Sequence, residues 1–147
     1  MNSSHPLSVV AIALALSGPA ALAQEMGATD KWQSVARTDN QEAFVNGSSI
    51  AAVGAQLEAR VKQNFAQPQP SANKGKTYLS SRTTYRFDCG QRRMAMKEVR
   101  TYSGSDLQGE PVQKATSSDK NLQWLDAPDS TVFGELLDYV CSRSPGG

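Results

Sequence analysis

Thr83-Thr84-Tyr85-Arg86-Phe87-Asp88-Cys89 alternates between two kinds of side chain, with Thr83, Tyr85, Phe87 and Cys89 on one side and Thr84, Arg86 and Asp88 on the other. That period of two is the signature of a half-buried β-strand. Near the C-terminus, Phe133, Leu136, Leu137, Val140 and Cys141 stand at i, i+3, i+4, i+7 and i+8, which is one apolar face of a helix. These two stretches carry the only two cysteines of the chain. The simplest inference is that a C-terminal helix is stapled by its last turn to a sheet strand. Such a bridge closes a loop of about fifty residues, worth roughly 4 kcal/mol on the loop-entropy account. The expected fold class is α+β: a single antiparallel sheet of about six strands, with the helix packed on one face and tied by a Cys89–Cys141 disulfide.

Working outward, Lys31 to Arg37 alternates around Trp32, and Glu42 to Asn46 reads as its hairpin partner across the polar turn Thr38-Asp39-Asn40. Asn46-Gly47 marks a tight turn. From Ala55 to Phe65 the odd positions Leu57, Ala59, Val61 and Phe65 are apolar, while Glu58, Arg60 and Lys62 are charged. This predicts a long strand with one buried and one wet face. Residues 67–76, rich in Pro, Gln and Ser, predict a floppy hairpin tip leading into a strand from Thr77 to Asp88. Arg92 to Tyr102 is the next strand. Its alternation changes phase between Met96 and Val99, which requires a bulge near Lys97-Glu98. Val112 to Ala115 is a short strand, Trp124-Leu125 a buried anchor, and Asp129 or Ser130 the helix N-cap. Trp32, Phe44, Phe65, Phe87, Trp124, Phe133 and Leu137 are the expected core. Thr77 to Ser81 is read as an exposed edge, and so as a route to a homodimer.

The first residues carry a different message. Leu7 to Ala23 is an apolar run broken at Gly18-Pro19 and followed by Ala21-Leu22-Ala23, a small-x-small cleavage site. It reads as a secretory signal peptide over residues 1–23, too short for a membrane span. A flexible leader follows at 24–30, then one domain over 31–142 and a disordered tail at 143–147. No cysteine directly follows the cleavage site, so there is no lipobox, and the expected location is the periplasm or outside the cell, surface included. A single domain suits a mature chain of about 120 residues. Two cysteines in an exported chain read as a disulfide before a metal or redox site.

Net charge is +1, which points away from bulk nucleic-acid binding. The one histidine, His5, lies in the signal. The mature chain thus lacks the base for Ser–His or Cys–His activation, and any His-containing metal site. It has no Gly-rich phosphate loop, and no cofactor is indicated. Glu135 and Asp138 share a helix face, which reads as a solvated face. The chain reads as a non-enzyme. What binding content there is lies in Arg82, Arg86, Arg92, Arg93, Lys97 and Arg100, which neighbouring strands could gather into a cationic patch. Two readings stay open: a site for sulfated polysaccharide, anionic lipid or an acidic protein loop, or simply the wet face of a one-sided sheet.

The landmarks also fall in a familiar order: Trp32-x-x-Val35, Phe44-Val45-Asn46, Ser49-Ile50, a long alternating strand, Tyr78-Leu79-Ser80-Ser81, Asp88-Cys89-x-x-Arg92 and Val99. Trp124 then precedes Pro128-x-Ser130 and the terminal helix with Cys141. This resembles the surface-adhesin protein E family of exported proteins of Gram-negative bacteria, over roughly Lys31 to Ser142. The resemblance implies an antiparallel sheet with the helix on its concave face, tied by the same bridge, and dimerisation. It also implies adhesion to host matrix and serum proteins such as vitronectin, laminin and plasminogen. The rival expectation is a soluble envelope protein of the periplasm, an accessory or inhibitor of another envelope protein.

Overall fold

The computed structural model describes residues 31–143; the signal peptide, the leader and residues 144–147 of the tail lie outside the described residues. Alternating sequence becomes strand throughout. The strands are β1 (Trp32–Arg37), β2 (Gln41–Asn46), β3 (Ala51–Val53), β4 (Gln56–Pro70), β5 (Thr77–Asp88), β6 (Arg93–Tyr102), β7 (Pro111–Thr116) and β8 (Trp124–Asp126), followed by helix α1 (Val132–Cys141). All pair antiparallel in one sheet, in the order β1-β2-β4-β5-β6-β7. The sheet has eight strands and not the expected six because two columns are shared. β3 pairs with the start of β4 beside β2, and β8 pairs with the start of β6 beside β7. Among the described residues no helix is long and apolar enough to cross a membrane.

The core is the layer between α1 and one sheet face. Ala43, Val45, Ala59, Val61, Phe87 and Met94 meet Leu136, Leu137 and Val140 there, all buried. Tyr85 sits at its centre, with its ring 6.2 Å from both Phe87 and Phe133. The joint forms as expected: Cys89 and Cys141 are bonded, with Cα atoms 5.9 Å apart. The helix starts one residue later than Ser130, and two later than Asp129, would place it. Thr131 is the N-cap, its Oγ1 accepting from Gly134 N (3.1 Å) and donating to Pro128 O (2.6 Å). Ser130 instead takes a positive φ of 60° that aims the chain into the helix. Gly134 is required at that entry, since a Cβ there would collide with the Pro128 carbonyl. The buried Asn46 fixes the turn after β2. Its Oδ1 accepts from Ser48 N and Oγ, and Ser49 Oγ carries the connection on to Arg60 N of β4.

Four expectations change. β4 runs through both prolines to Pro70, so the hairpin tip shrinks to 71–76. It is also tied down: Ser71 Oγ and Ala72 N donate to Gln113 Oε1, and Asn73 Nδ2 donates to Val112 O. Prolines are tolerated because the register slips between Asn64 and Gln69, so the strand has few ladder donors to lose there. Thr77 to Ser81 is not an edge along its whole length, although Thr77 and Tyr78 pair with β4 alone. Ser80 and Ser81 pair with both β4 and β6, and the sheet's ends are β1 and β7. Leu125 is not an anchor; it is 54% exposed because β8 is a short edge strand, while its neighbour Trp124 is half-buried. Trp32, Phe44 and Trp124 are half-buried on the face away from α1, and Phe65 packs edge-on against Tyr78, so all four lie outside the layer that Phe87, Phe133 and Leu137 form. The bulge falls on Lys97, which has no partner between Thr84↔Glu98 and Tyr85↔Met96.

Cys89→Ala or Cys141→Ala is expected to lower stability by about 4 kcal/mol, given the 52-residue separation. Thermal melts with and without reductant check this; equal melting temperatures would contradict it. A second expectation concerns Tyr85, whose phenol burial pushes up to about 12. An unfolded tyrosine ionises near ~10, so the folded state holds the proton more tightly. The stability from keeping Tyr85 neutral is complete below that pH and is lost as pH rises toward 12. Urea midpoints between those values should fall more steeply for the native chain than for Tyr85→Phe.

Candidate binding face

Sheet pleating sends the alternate residues of each strand to the side away from α1, and most of the chain's cations go there. Register sets Lys62 of β4 opposite Arg82 of β5, Arg82 opposite Arg100 of β6, and Arg100 opposite Lys114 of β7. Arg60, Arg86 and Arg93 lie on the same side, Arg86 opposite Glu58.

This face is not uniformly wet. Lys62 is only 7% exposed. Its ammonium pairs with Asp106 and lies 4.4 Å from the Phe44 ring centre and 5.3 Å from that of Trp32. The cause is the β6–β7 connection, residues 103–110, which folds back over the sheet. Asp106 N donates to Asn64 Oδ1, Leu107 N donates to Ser80 Oγ, and Ser80 Oγ donates to Gly104 O. Asp106 and Leu107 both take positive φ to make that fold, and the Lys62 ammonium holds the Asp106 carboxyl below its ordinary range. Arg86 is 6% exposed, its guanidinium held by Glu58 at 3.0 Å and Asp119 at 3.2 Å. Lys97 shares Asp119 at 2.7 Å, and chiefly this bond lowers the Asp119 carboxyl.

The six cations singled out from sequence therefore divide. Arg86 and Lys97 are bound into the Asp119 network. Arg93 pairs with Asp88 (3.2 Å) and lies over the Trp124 ring at 4.8 Å. Arg100 bonds Glu98 at 2.9 Å while remaining partly exposed. Arg92 does not join the others. It precedes β6 at a φ of 49°, and its guanidinium bridges Asp129 and Asp138, both at 2.7 Å, clamping the turn that enters α1 to the helix's second half. Arg82 alone of the six has no acid within ion-pair reach among the described residues. Lys114, exposed and likewise without a described partner, completes the row. The sequence reading missed Lys114 because it lies outside the two central strands, and only the β6–β7 register puts it opposite Arg100.

The chain is thus a helix-on-sheet module with its core on one side and a charged, partly latched surface on the other. The family described as Surface-adhesin protein E matches residues 32–142, and the chain belongs to it. Solved structures of Haemophilus influenzae protein E have this fold. One, at 12% identity, gives a TM-score of 0.53 over 76% of this chain and 83% of its own. A second crystal form gives 0.55 at 12% identity over 76% and 87%. Protein E from non-typeable Haemophilus influenzae gives 0.52 at 13% identity over 76% and 75%. No curated protein sequence matches the chain.

Arg86→Ala should cost about 2–3 kcal/mol by leaving Glu58 half-buried without its partner, whereas Arg82→Ala should stay within about 0.5 kcal/mol. Chemical denaturation of the two variants tests the division; equal effects would contradict it.

Proposed function

We propose that this chain is an exported, non-catalytic binding protein of the surface-adhesin type that contacts host matrix or serum proteins through the sheet face opposite α1. The observation carrying this reading is that α1 closes one face only. The other presents Arg82 unpaired, with Arg100 and Lys114 beside it. A cationic face attracts acidic partners over a Debye length of ~8 Å at physiological salt. The family's description as surface adhesins supports the location, as does the disulfide, which persists in oxidising compartments. The signal-like residues 1–23 supply the export route.

A second reading, a soluble periplasmic protein assisting or inhibiting an envelope partner, is favoured by the use of both cysteines of this sequence in the bridge. Protease shaving of intact cells, combined with osmotic-shock fractionation, separates the two. Digestion by external protease is expected; release only on osmotic shock would overturn the surface reading and favour the periplasmic one.

A further inference from the structure

Like charges directly opposite one another across strands destabilise a sheet, yet this fold sets four cations in one unbroken row. Lys62, Arg82, Arg100 and Lys114 are consecutive register partners over β4, β5, β6 and β7. Internal acids answer two of them, Asp106 for Lys62 and Glu98 for Arg100. Arg82 and Lys114 have no answer among the described residues. The free charges therefore stand two strands apart, about 10 Å, with the partly exposed Arg100 between them. At the end of the row, Arg100, Tyr102 and Lys114 line a shallow cavity of about 250 Å³. That is below the ~300–1,000 Å³ of sites for drug-sized ligands, and suits one ring-sized group held by two cations and an aromatic face.

We propose that this row binds a linear sulfated polysaccharide lying across β5, β6 and β7. One sugar ring sits against Tyr102 in the cavity, and its sulfates and those of the next residue are taken by Lys114, Arg100 and Arg82. Arginine is suited to this because its planar fork meets two oxyanion oxygens at once. The observations favour a sugar chain over other polyanions. An anionic membrane would need apolar side chains to insert beside the cations. The exposed large apolar residues, Met96 at 43% and Leu125 at 54%, are register neighbours of Tyr85 and Met94 and so project from the α1 side. An acidic peptide adding to the sheet would run along an edge strand, whereas this row runs across strands. The proposal rests on the reading of this face as the contact surface and names its ligand class.

The test uses the disulfide-intact chain and fluorescein-labelled heparin, titrated at low and physiological salt. Arg82→Ala/Lys114→Ala removes only charges without internal partners, so its thermal melt should match the native one. Its affinity for heparin should fall about ten- to hundredfold, the loss of two charge-assisted contacts. Lys31→Ala/Arg143→Ala removes as many charges from the far edge of the sheet and the α1 side and should bind as the native chain does. Unsulfated hyaluronan should not compete. Failure of the native chain to bind heparin, equal losses in the two double variants, or equal competition by hyaluronan would each overturn the proposal. Displacement of heparin by poly-glutamate at matched charge, or equal binding to phosphatidylserine vesicles, would overturn it in favour of an acidic peptide or a membrane. The broader reading fails separately: a chain that ignores heparin but still binds immobilised matrix proteins refutes the sugar and leaves the face.

Discussion

The rest of the structure depends on the burial of one helix stripe against one sheet face, made permanent by a covalent bond at its far end. Leu136, Leu137 and Val140 have no other apolar surface to meet, and the sheet offers Val45, Val61, Phe87 and Met94. A ten-residue helix is marginal by itself. It persists here because both ends are fastened. Thr131 and the close approach at Gly134 fix its entry, Cys141 is bonded to the end of β5, and Arg92 grips Asp129 and Asp138 from outside. A cation first read as part of a binding patch thus belongs to the same fastening.

Closing one face has a consequence for the other. A sheet with a single helix cannot bury its second face in a hydrophobic layer, so that face must be managed with polar chemistry. Two devices do it. Residues 103–110 fold over Lys62, and the Asp119 turn reaches Arg86 and Lys97, converting would-be solvent-facing cations into buried or half-buried pairs. What these devices do not reach is the stretch around the half-buried Arg82 and Arg100 and the exposed Lys114. Of these three register neighbours only Arg100 has an internal acid, Glu98, so Arg82 and Lys114 keep their charge open to solvent ions or to a partner.

Much of the fold was legible because burial imposes periodicity. The alternation of β4 and β5, the i, i+3, i+4 stripe of α1, the Cys89–Cys141 joint and the bulge at Lys97 all follow from which residues must face the core. What was not legible depends on long-range register and on polar loops. Nothing local says that Asp106 reaches back to Lys62 across 44 positions, that Arg92 points to the helix, or that Gln113 ties down the hairpin tip. Edge position was misread for a related reason. Thr77 to Ser81 looks like any half-polar strand end, and only the pairing of Ser80 with Tyr102 shows its last two residues to be interior. Cys89, Cys141 and Asn46 are legible because they serve the joint and a turn, whereas the row of cations on the other face is a grouping that exists only after the strands pair.

The most direct test of the division between a structural face and a contact face is a ¹H–¹⁵N shift map of the disulfide-intact chain on addition of a heparin hexasaccharide. Side-chain resonances of Arg82 and Arg100, with backbone amides of β7 near Lys114, should move together and saturate, while those of Leu136, Leu137 and Val140 stay in place. Shifts concentrated in α1 and around Met96 and Leu125, with Arg82 unmoved, would contradict the account and transfer the contact surface to the helix side.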